Sequence, residues 1–210
     1  MKANVAWSTD EDAYLAGKAC AKKAVLDLVQ TKVAFLFSSV DYNEQKLIGG
    51  AKEELGTAPI IGCTSNGGLL VPDGYITSEH GFAGMLAIGD PDTAVGVAGE
   101  KKLFTARETG RKVAIDAMNK VGTTFSPSYF FMIATPGEEE EYAKGIQDII
   151  GDVPMFGGSC ADNDLSGKWR IFTSDKVFSE GVAVAFFYTN KKLVNEYTGR
   201  YHETVNAGII

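Results

Sequence analysis

The pattern of apolar and polar positions divides the chain into short strands and longer amphipathic helices. Residues 33–37 and 129–134 are short and almost continuously apolar, which is typical of strands covered on both faces of a sheet. Apolar residues at helical spacing, with capping residues before them and glycines after them, predict four helices. The predicted helices cover residues 9–28, with Thr9 or Asp10 as the capping residue, 43–55, 104–121 and 138–150.

The predicted elements follow the order α-β-α-β-β-β in each half of the chain. Besides the two apolar runs, the predicted strands cover residues 59–62, 82–88, 93–98, 153–157, 170–172, 182–188 and 193–197. Parallel βαβ connections followed by antiparallel hairpins give mixed sheets with the helices on the outside. We therefore expect an α/β (α+β) fold in one domain, residues 1–210, that contains two pseudo-repeats, residues 9–99 and 104–198.

A nine-residue motif that occurs twice supports this duplication. The copies are residues 58–66, APIIGCTSN, and residues 153–161, VPMFGGSCA. Each has a proline, two large apolar residues, a glycine and then small residues. A duplication places Pro59 on Pro154 and Gly62 on Gly157, with both prolines at strand starts, where no ladder donor is needed. A strand that ends in glycine and small polar residues leaves backbone N–H groups open to a ligand.

The extended motifs at residues 59–68 and 154–163, together with the strands at 33–39 and 82–88, resemble the FIST amino-terminal domain. This family is named for F-box and intracellular signal-transduction proteins, and the resemblance covers residues 33–188. It implies a sensory domain that binds a small ligand such as an amino acid and is coupled to chemotaxis or histidine-kinase outputs. It also implies a FIST C-terminal domain or a signalling output protein as a partner. Some family members are similar to haem-binding sensors of nitric oxide.

The candidate ligand site lies at the strand ends, where two equivalent motifs are expected to converge between the halves. It consists of Ser38, Ser39, Gly62, Cys63, Thr64, Ser65, Asn66, Gly157, Gly158, Ser159, Cys160, Asp162 and Asn163. Asp162 and Asn163 are the nearest side chains able to hold a ligand ammonium or hydroxyl group. The alternative interpretation is structural: glycines that only avoid a clash at the strand exit, and turn-forming Asp and Asn residues.

Two other functions remain as alternatives to a sensor without enzymatic activity. A hydrolase or transferase could use Cys63 or Cys160 as its nucleophile, although Cys63 aligns with Gly158. A haem-based sensor could use His80 or His202 as an axial ligand. The chain has no Cys-x-x-Cys or His-x-x-x-His pair, so no metal site or cofactor is expected. The acidic run at residues 138–141 is interpreted as a complement to the helix dipole.

Composition and charge restrict the class of partner and the location. The net charge of -7 leaves no basic excess for nucleic acid or for an anionic membrane surface. The amino terminus lacks the apolar core of a signal peptide, and the longest apolar run, residues 182–188, is too short to span a membrane. Three cysteines, an odd number, favour reduced thiols. We therefore expect a cytoplasmic protein.

Overall fold

The structure is a computed structural model, and it describes residues 1–102 and 104–194. The first half contains β1 (Lys2–Ser8), α1 (Ala13–Ala24), β2 (Thr31–Ser38), α2 (Glu44–Leu55), β3 (Ile60–Thr64), β4 (Leu69–Val71), β5 (Gly74–Ile76) and β6 (Ala83–Gly89). The second half contains β7 (Ala94–Lys101), α3 (Ala106–Val121), β8 (Tyr129–Ala134), α4 (Glu139–Ile150), β9 (Met155–Ser159), β10 (Ile171–Thr173), β11 (Val177–Phe178) and β12 (Gly181–Tyr188).

Two mixed sheets carry most of these strands. The first sheet has the order β1-β6-β2-β3-β10-β11, and the second has the order β7-β12-β8-β9. The pairs β2–β3 and β8–β9 are parallel, each joined by a helix, whereas the neighbouring pairs are antiparallel. Strands β4 and β5 form a separate two-stranded hairpin. The predicted mixture of parallel and antiparallel pairing is confirmed.

The two sheets pack face to face, with the helices on the outside. Alternate residues of β2 show this arrangement, because Phe35 lies in the apolar cluster between the sheets and Leu36 lies in the cluster with α1 and α2. The ring of Phe35 meets the ring of Phe131 in β8 edge to face, with 4.8 Å between the centroids. A third cluster joins α3 and α4 to the second sheet. The layer order is therefore α-β-β-α, and the predicted α+β class with outer helices is confirmed.

The first helix is shorter than its apolar pattern predicts. The carboxylate of Asp12 accepts hydrogen bonds from two amides in the first turn, so α1 begins at Ala13 and not after Thr9 or Asp10. The helix also ends before Asp27, whose φ of 57° lies in the left-handed region and cannot continue a helix. The apolar residues beyond that point belong to the connection that leads to β2.

The predicted α-β-α-β-β-β order is wrong at the start of each half. Strand β1 precedes α1 and pairs with β6, and β7 pairs with β12 in the second sheet although the pattern assigns it to the first half. The hairpin β4–β5 lies in a segment predicted as loop. Of the predicted strand 193–197, residues 193 and 194 form no strand, and residues 195–197 lie outside the described residues.

With this correction, the two halves have the same strand order, β1-β6-β2-β3 and β7-β12-β8-β9. Their helix pairs also cross through equivalent glycines. An ideal Cβ on Gly17 would lie 2.0 Å from the carbonyl oxygen of Leu47, and one on Gly110 would lie 2.3 Å from that of Tyr142. Duplication of the sequence stays a prediction, which these contacts support. No helix in the described part of the chain is long and apolar enough to cross a membrane.

Candidate functional site

The two motif strands, β3 and β9, have equivalent surroundings. The carbonyl oxygen of Pro59 accepts a hydrogen bond from the amide of Ala34 at 2.9 Å, and that of Pro154 accepts one from Phe130 at 3.0 Å. Each proline therefore directly precedes its strand and bonds to the parallel neighbour through its carbonyl alone, as its missing N–H requires. The predicted positions of the two prolines are confirmed.

The glycines of the two motifs are explained by strand packing. An ideal Cβ on Gly62 would lie 1.8 Å from the carbonyl oxygen of Leu36, and one on Gly157 would lie 1.9 Å from that of Met132. The neighbouring parallel strand thus occupies the space that a ligand would need at these two positions. Gly158 differs, because no atom lies within 4 Å of its ideal Cβ. The structural interpretation therefore accounts for Gly62 and Gly157.

The ends of the two motif strands meet directly after these glycines. The hydroxyl of Thr64 donates to the carbonyl oxygen of Ala161 at 2.7 Å, and the amide of Ala161 donates to the carbonyl oxygen of Thr64 at 3.0 Å. The amide of Gly67 donates to Oδ1 of Asn163 at 3.3 Å. The two strand ends therefore contact each other through Thr64 and Asn163, and a shared ligand pocket there stays a prediction.

Ser38 and Ser39 lie at the end of β2, beside this junction. Ser38 is in register with Thr64, and its carbonyl oxygen accepts from the amide of Ser65 at 2.8 Å. Ser39 is fully buried, and its hydroxyl accepts from the amide of Phe82 at 3.3 Å. The buried hydroxyl of Ser38 has no hydrogen-bond partner among the described residues. The remaining predicted residue of this segment, Asn66, is exposed.

Asp162 is the most unusual side chain at the junction. It is only 1% exposed, and its Oδ2 accepts from the amide of Lys168 at 2.7 Å. Its Oδ1 is buried and has no partner within the part of the chain that the structure describes. A buried oxygen without a partner loses its hydration, a cost that a bound donor would remove. The carboxylate therefore suits an ammonium or hydroxyl group.

The acidic first turn of α4 contributes one residue to the candidate site, although the sequence pattern indicates only that this turn complements the helix dipole. Glu139 accepts a hydrogen bond from the hydroxyl of Ser159, the last residue of β9, and one from the amide of Gly137 at 2.8 Å. Burial disfavours its charge, yet these hydrogen bonds hold the pKa of Glu139 below its usual range. A second carboxylate thus stands at the end of the second motif, and only the tertiary fold reveals it.

The two motif cysteines lie inside the apolar cluster between the sheets. Cys63 and Cys160 are buried and free. Burial, and to a smaller extent the carboxylates of Glu139 and Asp162, raise the pKa of Cys160 to about 12, and burial raises the pKa of Cys63 well above its usual range. Both thiols are therefore protonated at neutral pH, which opposes a role as nucleophile.

The candidate haem ligands receive no structural support. His80 is exposed, and its Nε2 lies 3.8 Å from a carboxylate oxygen of Glu11. His202 lies outside the described residues. Within residues 1–102 and 104–194, no group of three or more His, Cys, Asp or Glu side chains is arranged to hold a metal ion.

One cavity lies away from the motif ends, at the turn after β10. It has a volume of about 460 Å³, and Asp116, Lys120, Thr173 and Lys176 are among its lining residues. Neither Ser38 nor Asp162 is among its lining residues, and two of its charged residues, Asp116 and Lys176, already pair with protein groups. Lys176, for example, donates to Glu100 at 2.9 Å.

The comparisons with known proteins identify one family. A family model described as the FIST N domain matches residues 32–210. The matched range includes both motifs, the junction of their strand ends and the helices α2, α3 and α4. A search of curated proteins found no match.

Proposed function

Because the chain belongs to the FIST N domain family, we propose that it is the ligand-binding input domain of a signal-transduction protein. The observation that best supports a ligand site is the unpartnered, buried Oδ1 of Asp162 at the junction of the two motif strands. Such an atom is rare in folded proteins unless a water, an ion or a ligand completes its hydrogen bonds.

The ligand that fits this junction carries an ammonium or hydroxyl group, as an amino acid or a related metabolite does. Asp162 and Glu139 supply two carboxylates near the end of the second motif. Charge-assisted hydrogen bonds to a cation are among the strongest polar contacts. Because Thr64 and Ala161 join the two halves, ligand binding here would bias how the halves pack.

The proposed role is binding without catalysis or a cofactor. The raised pKa values of Cys63 and Cys160 weigh against a cysteine enzyme, which depends on a reactive thiolate. The exposure of His80 weighs against haem ligation at that residue. The proposed location is the cytoplasm, supported by three free cysteines, and the proposed partner is a signalling output protein or a FIST C-terminal domain.

A thermal-shift screen of amino acids and small metabolites tests the proposal. We expect a ligand with a cationic or hydroxyl group to raise the unfolding temperature in a concentration-dependent way without being turned over. Isothermal titration with the best ligand then gives its affinity. Turnover of any ligand, or an absorbance band of bound haem in the purified protein, would contradict the proposal and favour one of the two alternatives.

A further inference from the structure

The two motif strands differ in whether another strand pairs with the edge that points away from the parallel neighbour. β3 lies between β2 and β10, so both of its edges are paired. β9 pairs with β8 on one edge, and within residues 1–102 and 104–194 no strand pairs with the other. All five residues of β9 are exposed, whereas all five of β3 are buried. The second sheet therefore has an open edge where the first has a covered one.

The open edge presents a regular set of backbone groups. The bonds from Phe130 N to Pro154 O and from Cys160 N to Ala134 O fix which residues of β9 face β8. By the alternation of a parallel ladder, the N–H and C=O groups of Met155, Gly157 and Ser159 point away from β8. An edge of this kind readily accepts another strand.

The equivalent groups of β3 show how this fold covers such an edge. Ile60 accepts at its carbonyl oxygen from the amide of Ser174 at 3.1 Å, and Thr64 donates its amide to the carbonyl oxygen of Arg170 at 2.9 Å. Between these bonds, Phe172 of β10 pairs with Gly62, and its ring lies against that glycine. An antiparallel strand with bulky apolar residues therefore completes β3.

The surface around β9 has the same apolar character. Met155 is 43% exposed and Phe156 is 46% exposed. A cavity of about 300 Å³ lies beside them, and its lining includes Tyr129, Pro154 and the last two described residues, Leu193 and Val194. A smaller apolar cavity of about 130 Å³ is lined by Phe156 and by residues of both sheets, among them Leu86 and Phe131. Large apolar side chains of an added strand would fill both spaces.

The charges at the two ends of β9 are negative. Glu139 contacts Ser159 at one end, and Asp152 lies exposed before Pro154 at the other. In the covered edge of β3, Arg170 directly precedes the added strand β10, and Lys176 follows it after Ser174 and Asp175. A strand with basic flanks would therefore complement the open edge in charge as well as in hydrogen bonding.

The hairpin β4–β5 occupies the chain position in the first half that β10–β11 occupies in the second. It pairs only with itself among the described strands, and Trp7 Nε1 donates to Asp73 Oδ2 at 3.0 Å at its turn. This contact, together with the packing of Leu69 against Gly84 of β6, places the hairpin beside the first sheet. The chain's own equivalent hairpin therefore leaves β9 uncovered.

We propose that β9 is a docking edge for a partner polypeptide, which adds an antiparallel strand carrying bulky apolar residues between basic flanks. The N–H and C=O groups of Met155, Gly157 and Ser159 bind the backbone of that strand. Its apolar side chains occupy the spaces next to Met155 and Phe156. The partner is thus recognised mainly through its extended backbone, with specificity from alternate side chains.

The test uses the whole chain and a fluorescent peptide with the sequence of residues 168–179, which carries the strand that covers β3. We expect saturable binding by fluorescence anisotropy, and at least a tenfold loss for a peptide in which the residue corresponding to Phe172 is alanine. Hydrogen exchange at the amides of Met155, Gly157 and Ser159 should slow roughly tenfold when the peptide is bound.

Two variants separate edge pairing from apolar adhesion. Met155→Pro removes an outward N–H but none of the bonds to β8, and should reduce peptide binding at least tenfold. Met155→Ala keeps the N–H, so Met155→Pro should bind the peptide at least tenfold more weakly than Met155→Ala does. Equal binding by these two variants, or unchanged exchange at the three amides when the peptide is added, would overturn the proposal. So would a dimer in which these amides are already protected, because a second copy would then be the occupant.

Discussion

Gly62 and Gly157 occupy equivalent positions in the two halves, and the backbone of each lies directly against a carbonyl oxygen of the parallel neighbouring strand. The register partners are Leu36 for the first glycine and Met132 for the second. A side chain at either position would meet backbone atoms at less than 2 Å. The motif that suggests a ligand cradle is therefore, at these two residues, a requirement of the sheet itself.

We expect Gly62→Ala and Gly157→Ala each to lower the free energy of unfolding by about 1–3 kcal/mol, because the strand pair must separate to admit a methyl group. At Gly157 the φ of 149°, which favours glycine, adds to this loss. Urea denaturation measures the effect. Gly158→Ala is the matched control, since its Cβ would meet no atom within 4 Å, and its change should stay within about 0.5 kcal/mol. Equal effects at Gly157 and Gly158 would contradict the packing explanation.

Two adjacent glycines in α2 offer a second comparison. The Cβ of alanine at Gly50 would lie 1.9 Å from the carbonyl oxygen of Tyr14 in α1, whereas at Gly49 the nearest atom is 3.9 Å away. Gly50→Ala should therefore destabilise the protein by about 1–3 kcal/mol through separation of the helices. Gly49→Ala should stabilise it by about 0.5–1 kcal/mol through helix propensity. Thermal or urea unfolding would show whether the two changes have opposite signs.

The hydrophobic pattern predicts the central elements well because burial on both faces leaves a clear signal. The apolar run 129–134 coincides with β8, and the run 33–37 lies within β2. It fails for β1, an edge strand in which Val5 is exposed and Ala6 is the one buried residue. It also places β7 in the wrong half, because sequence order does not show that this strand pairs with β12 across the second sheet.

The candidate site was only partly predictable for a similar reason. The motif repeat indicates that two strand ends are equivalent, and the structure joins them at Thr64 and Ala161. Periodicity cannot show that Glu139 reaches Ser159 from the next helix, since this contact depends on how α4 packs. Nor can periodicity show that Asp162 is buried with one oxygen unpaired, because Asp and Asn residues in turns are usually exposed.

Asp90 gives a prediction for acid stability. The ammonium of Lys191, which donates to both its oxygens, and the hydroxyl of Thr93 hold the pKa of Asp90 well below its usual value. Because the folded pKa is the lower one, the stabilisation is complete above the unfolded pKa, about 3.9, and is lost as the pH falls below it. Asp90→Asn should therefore be less stable than the original chain at pH 7, with a smaller difference at pH 3.

Unfolding curves at a series of pH values measure how the free energy of unfolding of each protein depends on pH. Asp92→Asn provides the control, because Asp92 is 71% exposed and lies 3.8 Å from the same lysine. A pH profile for Asp90→Asn that runs parallel to the original down to pH 3 would refute the assignment.

The thiols give a prediction that separates a binding domain from a cysteine enzyme. Cys20, Cys63 and Cys160 are all buried, and burial raises the pKa of each. At pH 8 the native protein should react with iodoacetamide at least tenfold more slowly than glutathione does. After denaturation without a reductant, titration should find three free thiols. Rapid modification of one thiol in the native protein would instead support a nucleophilic cysteine.

Asp162 gives the most direct test of the proposed ligand site. Asp162→Asn keeps the shape of the side chain and removes its charge, so a ligand with an ammonium group should lose about 1.5–3 kcal/mol of binding free energy. The change is measured by isothermal titration with the best ligand from the thermal-shift screen. Unfolding curves must accompany it, because Asp162 also accepts a hydrogen bond from the amide of Lys168.

Asp164→Asn is the matched control, since Asp164 lies in the same turn, has the same charge and is 57% exposed. The binding free energy between the Asp164→Asn protein and the ligand should change by less than about 0.5 kcal/mol, because an exposed charge is screened by water. If a folded Asp162→Asn protein binds the ligand as tightly as the Asp164→Asn protein does, the carboxylate of Asp162 does not contact the ligand. The buried oxygen at the strand junction would then be a feature of the turn alone.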